Sequence, residues 1–173
     1  MKKTIITFFV VLLGFASMAQ NIDFDEKLKE LGVELLPPAK PVANYVRAVR
    51  AGNLLFLSGH GPVRADGSYF TGKVGKDLTI EEGYEAAKLT AIGLISTLES
   101  ELGDLNKVKR IVKVNGWVNC TTDFGDQPKV INGCSDLMVS LFGEKGRHAR
   151  AAMGAGALPM NITVEIEMVV EVE

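Results

Sequence analysis

Residues 148–172 read HARAAMGAGALPMNITVEIEMVVEV, and the second half of that run decides the fold. Ile162, Val164, Ile166, Met168 and Val170 recur at every second position, while Thr163, Glu165, Glu167, Val169 and Glu171 occupy the positions between them. A period of two is the signature of a strand whose alternate side chains leave opposite faces. One face is apolar and the other rich in carboxylates, so the strand belongs to a sheet covered on one side and turned to water or a partner on the other. Arg150 lies fifteen residues before Glu165, across Leu158-Pro159, on what reads as the preceding strand. The spacing predicts that the guanidinium and the carboxylate share a cleft. There the planar fork of donors would suit a substrate carboxylate, and Glu165 would hold or deprotonate a water. From spacing alone, a solvated charged face is the commoner outcome.

Working outward, Val108–Val118 reads as another strand, dominated by Val108, Val112, Val114 and Val118. Thr79-Ile80-Glu81-Glu82 is a capping box, a helix start in which the cap and the third residue satisfy each other's backbone donors. The helix it opens carries Ala87, Ala91, Leu94, Ile95, Leu98 and Leu102 on one stripe and stops at Gly103. A second helix near Pro128 turns Val130, Ile131, Cys134, Leu137, Met138, Leu141 and Phe142 inward, ends at Gly143, and leaves Asn132 facing away from the core. Asn44–Arg50 and Leu54–Ser58 are β-rich runs joined at Ala51-Gly52-Asn53, and Asp66-Gly67 marks a turn before a short strand around Tyr69. The predicted order is β-β-β-α-β-α-β-β, an α+β fold of one sheet with two helices on one face. Its uncovered face would carry Tyr45, Val49 and Val169, which invites burial by self-association.

The chain has 173 residues, enough for one domain behind a leader. Residues 1–19 have the form of a signal peptide: Lys2 and Lys3, an apolar core Ile5–Phe15, then small residues at Ser17 and Ala19 before Gln20. The core is too short to cross a bilayer, which takes about 20 residues, so the expected product is an exported protein, periplasmic or secreted, with no stable membrane anchor. Residues 20–41 form an N-terminal extension, with Asn21–Glu34 amphipathic and Pro37, Pro38 and Pro41 keeping the chain extended; residues 42–173 are the domain. Loss of Lys2 and Lys3 takes the formal charge from −2 to about −4, which argues against a nucleic-acid partner. Cys120 and Cys134 have the compartment to pair, but the apolar stripe around Cys134 favours two buried free thiols.

Several pieces in order resemble the RidA/YjgF family, reactive-intermediate (imine and enamine) deaminases formerly called L-PSP ribonucleases. They are Asn44-Tyr45-Val46, Leu57-Ser58-Gly59 followed by Pro62, Val112-Lys113-Val114 with Val118, and Val130-Ile131-Asn132. Ala149-Arg150, Leu158-Pro159 and Val164-Glu165-Ile166-Glu167 complete the set. The resemblance implies a chorismate-mutase-like homotrimer with clefts between subunits and no cofactor or metal. Arg150 would bind the carboxylate of a 2-imino or 2-enamino acid, and Glu165 would position the hydrolytic water. Tyr45 would line the cleft from the neighbouring subunit, and Asn132 would sit near its mouth. Ser58 and Gly59 would shape the wall, and the backbone of Ala152 would supply hydrogen bonds. Ammonia leaves and a 2-keto acid remains.

Departures from the family pattern are Ala151 where serine is common, Ala152 for cysteine, His60 for glutamine, and a longer Gly72–Asp77 segment. They are similar to a divergent branch, the Atu1953-like proteins. His60 reads either as a substrate-selecting group or as a surface or supporting imidazole, and Tyr45 as packing or cleft. Two histidines do not by themselves make a metal site. Two other functions stay open beside the deaminase. One is a non-catalytic trimeric binder of small carboxylates such as keto acids; the other is a chaperone-like or ribonuclease activity.

Overall fold

A computed structural model describes residues 22–38, 41 and 43–173; the leader read at 1–19 lies outside them. Eight elements run in order: α1 (Phe24–Glu30), β1 (Ala48–Ala51), β2 (Leu54–His60), α2 (Ile80–Leu102), β3 (Val108–Asn119), α3 (Gln127–Phe142), β4 (Ala149–Ala155) and β5 (Val164–Val172). The five strands form one sheet in the order β1-β2-β5-β3-β4. Only β3 and β4 run parallel, and α3 makes the crossover that parallel neighbours require. The α+β class, with one sheet and α2 and α3 on one face, is as expected.

The alternation read in β5 is observed from Val164 onward; Thr163, read on the open face, is instead buried ahead of the strand, its hydroxyl donating to the Phe70 carbonyl at 3.2 Å. Val164, Ile166, Met168, Val170 and Val172 are buried under the helices, and Glu165, Glu167, Val169 and Glu171 are half-buried on the open face. Each full burial of such an aliphatic side chain contributes about 1.5–3 kcal/mol, so the register of β5 is strongly held. α2 starts at Thr79 with both halves of the capping box present and ends at Gly103 in the left-handed conformation. α3 buries all seven of its expected apolar residues, Cys134 among them. Cys120 and Cys134 are both buried free thiols, and burial pushes the Cys134 thiol up to about 12, so it stays protonated.

Three boundaries differ from the sequence reading. The amphipathic extension forms a helix, α1, capped by Asp23 and seated on the core through Phe24, whose ring centroid lies 5.4 Å from that of Phe142. The run around Tyr69 is not a sheet strand. It makes isolated bridges, Val63 to Tyr69 and Thr71 to Ile162, because the Arg64–Ser68 turn folds back on Pro62, whose carbonyl accepts from the Phe70 N–H at 2.8 Å. The first strand starts at Ala48 rather than Asn44. A tight three-residue turn, Tyr45 N–H to Ala43 carbonyl at 2.9 Å, occupies the start of that run and takes Tyr45 out of the sheet.

β2 carries the irregularity that matters most. Leu57 faces Met168 and His60 faces Ile166, so Ser58 and Gly59 together stand opposite Glu167 alone. Such a bulge bends the strand and re-aims the side chains beyond it.

Candidate functional site

At that bulge a cavity of about 720 Å³ opens between the exit of β2, the middle of α2 and the Leu36–Pro38 segment. Glu165, Ser58, Gly59 and Tyr45 line it, together with Arg47 and His60. Glu165 lies against the Gly59 backbone so closely that a Cβ at position 59 would collide with its Oε1. A larger residue there would push the Glu165 carboxylate, a flexible side-chain tip, out of its present position. Partial burial first, and the neighbouring Glu167 second, hold the Glu165 carboxyl above the usual carboxylate range. A carboxylate so raised is a stronger base towards a bound water.

His60 is buried at 4% exposure. Its Nδ1 meets the Ser58 carbonyl at 2.7 Å and its Nε2 meets Thr97 Oγ1 at 2.8 Å. A carbonyl only accepts, so Nδ1 carries the hydrogen and Nε2 faces the Thr97 hydroxyl, whose one hydrogen is shared between the ring and the Gly93 carbonyl at 3.1 Å. Burial, with the nearby Arg47 charge adding to it and the Ser58 bond opposing, lowers its pKa from 6.5 to about 4. The imidazole is therefore neutral at physiological pH.

Arg150, Asn132 and Ala152 lie elsewhere. Arg150 pairs with Val114 and Val114 with Met168, so its side chain leaves the sheet on the helix-covered face; Ala152, in register with Gly116 and Ile166, does the same. Glu165 pairs with Trp117 and leaves the open face. Two strand spacings and three residues of offset put the two Cα atoms roughly 14 Å apart, with side chains on opposite faces. The cleft expected between Arg150 and Glu165 therefore does not exist within one chain. β3, inserted between their strands, is the reason. Of the expected residues, Tyr45, Ser58, Gly59 and Glu165 come together, and Arg150 and Ala152 of the edge strand β4 lie apart from them with Asn132 of α3.

The second group is ordered. Arg150 Nη1 donates to Asn132 Oδ1 at 2.8 Å and to Ser135 Oγ at 3.0 Å. Ser135 meets His148 Nε2 at 3.1 Å, and His148 Nδ1 meets the Gly146 carbonyl at 2.7 Å. The same carbonyl argument makes Nδ1 the donor and Nε2 the acceptor, so the hydrogen bonds run in one direction from Arg150 to Gly146. Burial of His148, aided by the Arg150 charge against the opposing Gly146 bond, lowers its pKa and keeps that arrangement neutral beyond the guanidinium. Arg150 itself is exposed, with the rest of its donor fork turned to solvent at the edge of the sheet. Sequence reading missed Ser135, His148 and Arg47 as site residues. The i, i+3 spacing of Asn132 and Ser135 on α3 was the available signal for the first of these. Among the described residues no set of three His, Cys, Asp or Glu side chains gathers into a metal-binding cluster.

A family model described as "YjgF/chorismate mutase-like, putative endoribonuclease" matches residues 25–172. The protein TCP17 of Trypanosoma cruzi is 44% identical over 145 residues, which cover 83% of this chain and 91% of that protein. A crystal structure from Agrobacterium tumefaciens, of a protein with unknown function, superposes with a TM-score of 0.81 at 41% identity, covering 87% of this chain and 94% of its own. A "putative endoribonuclease" from Shewanella oneidensis superposes with a TM-score of 0.83 at 31% identity, covering 86% and 99%.

Proposed function

The chain belongs to the YjgF/chorismate-mutase-like family, and from that premise we propose that it hydrolyses reactive 2-imino and 2-enamino acids to 2-keto acids and ammonia. The single observation that carries the reading is the pairing of a base with a cavity: Glu165, raised by burial, lines a concave site without Arg150, while Arg150 sits pre-ordered on the opposite sheet face. A second copy of the chain supplies the missing half. Its Arg150 fork binds the substrate carboxylate at the mouth of the cavity, and a homotrimer with three such clefts is the assembly we propose. The open sheet face supports this, because Val49, Phe56 and Val169 form one apolar row across β1, β2 and β5. Val49 and Phe56 are 56% and 43% exposed in the single chain.

The chemistry asks for positioning rather than a cofactor. The carbon of a protonated imine is already electrophilic. Glu165 takes a proton from water as the oxygen attacks, leaving a tetrahedral amino alcohol. That proton passes to the amine; as the C–N bond breaks, Glu165 takes the hydroxyl proton of the intermediate and passes it to the departing ammonia, so ammonium and the keto acid leave and Glu165 is regenerated. The endoribonuclease in the family's description fits less well. The cavity sets Arg47 and Arg64 beside Glu165, but the chain as a whole has a formal charge of −2, without the basic excess that holds a phosphate backbone.

The test is ammonia and keto-acid release from imino acids generated in situ by an amino-acid oxidase. Wild type accelerates release, and Arg150→Ala and Glu165→Gln each lose about a hundredfold or more. The wild-type rate rises with pH as Glu165 ionises, through a midpoint above that of an ordinary glutamate. A folded protein that binds keto acids yet accelerates nothing would sink the enzyme reading and leave a carboxylate-binding module.

A further inference from the structure

Resting on that reading, we propose that the cavity beside Glu165 selects 2-imino acids with a bulky apolar or aromatic side chain over the methyl-bearing imine. Its volume is the first reason. About 720 Å³ would hold roughly two dozen waters at about 30 Å³ each, far more than the smallest imino acid displaces. Small-molecule sites are commonly filled well by their ligand, so the excess room is matched to something larger.

The second reason is the distribution of exposed apolar side chains. Nine large ones are exposed among the described residues, and five of them, Leu36, Tyr45, Val63, Tyr69 and Met160, line this one cavity. Isolated exposed hydrophobics are ordinary, but a ring of them around a concavity marks a binding surface. Beneath the ring, Ile92 of α2 supplies an aliphatic wall. The Glu165 carboxyl and the Ser58 hydroxyl come from the sheet around the β2 bulge, while Arg64 stands in the turn beyond it and Ser96 on α2. The reacting carbon therefore sits against the sheet, and the substituent points towards α2 and the rim.

The third reason is independent of size. Among the described residues only Met160 and Asn161 have positive φ without being glycine, both at 55°. Asparagine tolerates that conformation; methionine gains nothing from it locally. Such outliers persist where the surroundings require them and cluster at ligand sites. Here the backbone holds Met160 on the cavity rim at 61% exposure, where a flexible, polarisable thioether suits an apolar or aromatic group.

The experiment is a substrate series: imines generated in situ from alanine, leucine, methionine and phenylalanine, with kcat/KM measured for wild type, Ile92→Trp and Met160→Lys. At about fourfold per buried methylene, the leucine-derived imine exceeds the alanine-derived one by on the order of fiftyfold. Ile92→Trp fills the wall and Met160→Lys charges the rim, so in each variant that ratio falls. A flat wild-type series would overturn the inference while leaving the deaminase reading intact, and would mean that a neighbouring subunit fills this volume. Turnover of no imine would sink the deaminase reading; the side-chain preference then stands or falls on binding alone. Trp117, the single tryptophan of the chain and the register partner of Glu165, reports that binding by fluorescence. Phenylpyruvate must bind at least tenfold more tightly than pyruvate for the inference to survive.

Discussion

His60 owes its environment to one extra residue in β2. Strict alternation after Leu55 and Leu57 would turn Gly59 inward and His60 outward; the bulge at Ser58-Gly59 reverses this and buries the imidazole against Thr97. The consequence is a pH dependence of stability. The unfolded chain takes up a proton at this side chain near pH 6.5, but the folded protein refuses it until about pH 4. Stability contributed by neutral His60 is thus complete above 6.5 and is lost as pH falls from 6.5 to 4, by about 3 kcal/mol across the window. Glu165 and Glu99, both raised mainly by burial, act in the opposite sense: each favours the folded state more as it protonates. Comparison with His60→Gln separates the two effects. Urea unfolding at pH 7.5 and 4.5 should show a larger drop for wild type than for the glutamine variant, and equal drops would contradict the buried neutral imidazole. The bulge was not legible in the sequence, because Ser58-Gly59 reads as readily as a turn. Glu165 was legible, since its neighbours in β5 keep a strict period of two.

Among the elements, the helices were the most readable and their spacing the least. The stripes on α2 and α3, the Thr79 capping box and the stop at Gly103 all follow from residue type and a period of 3.6. What the stripes do not reveal is how closely the two helices approach. Gly133 of α3 lies directly on the backbone of α2, where a Cβ would overlap the Tyr84 carbonyl oxygen, and Gly83 of α2 packs against Val130. Backbone cannot yield as a side-chain tip can. Gly133→Ala should therefore destabilise by about 3 kcal/mol, near the upper end for overpacking. A shift of the denaturation midpoint without a change in slope would show it, and a neutral effect would mean that the helices part easily. The Gly72–Asp77 segment is likewise explained only by its contacts. Lys73 Nζ donates to Asn119 Oδ1 at 2.8 Å, the Gly156 carbonyl at 2.6 Å and the Cys120 carbonyl at 3.2 Å, tying the segment to the ends of β3 and β4.

At the scale of the whole molecule, the separation of Arg150 from Glu165 makes a distinctive prediction. If each active cleft takes its arginine from one subunit and its glutamate from another, two dead variants should complement. Arg150→Ala mixed with Glu165→Gln, unfolded together and refolded at equal amounts, should regain about a quarter of wild-type activity, because a quarter of interfaces then pair an intact arginine with an intact glutamate. Unmixed variants stay inactive. No recovery from a mixture of confirmed mixed oligomers would mean that one chain completes its own site, with Arg47 in the Glu165 cavity as the alternative carboxylate partner.

Residue type and periodicity by themselves determined the α+β class, both long helices with the Thr79 cap and their glycine stops, the buried face of β5, and the choice of Arg150 and Glu165 as residues to watch. All of these are local properties, set by how side chains leave a strand or a helix. Tertiary structure alone decided which strands are neighbours, where β2 bulges, and on which side of the sheet each candidate stands. Those arise from long-range burial: α3 carries the chain across the covered face, so β4 lies parallel to β3 on its far side, and β5 enters between β2 and β3. With β3 between their strands and a register offset of three, two residues fifteen positions apart in the chain end on opposite faces, so one chain does not bring them into a shared site.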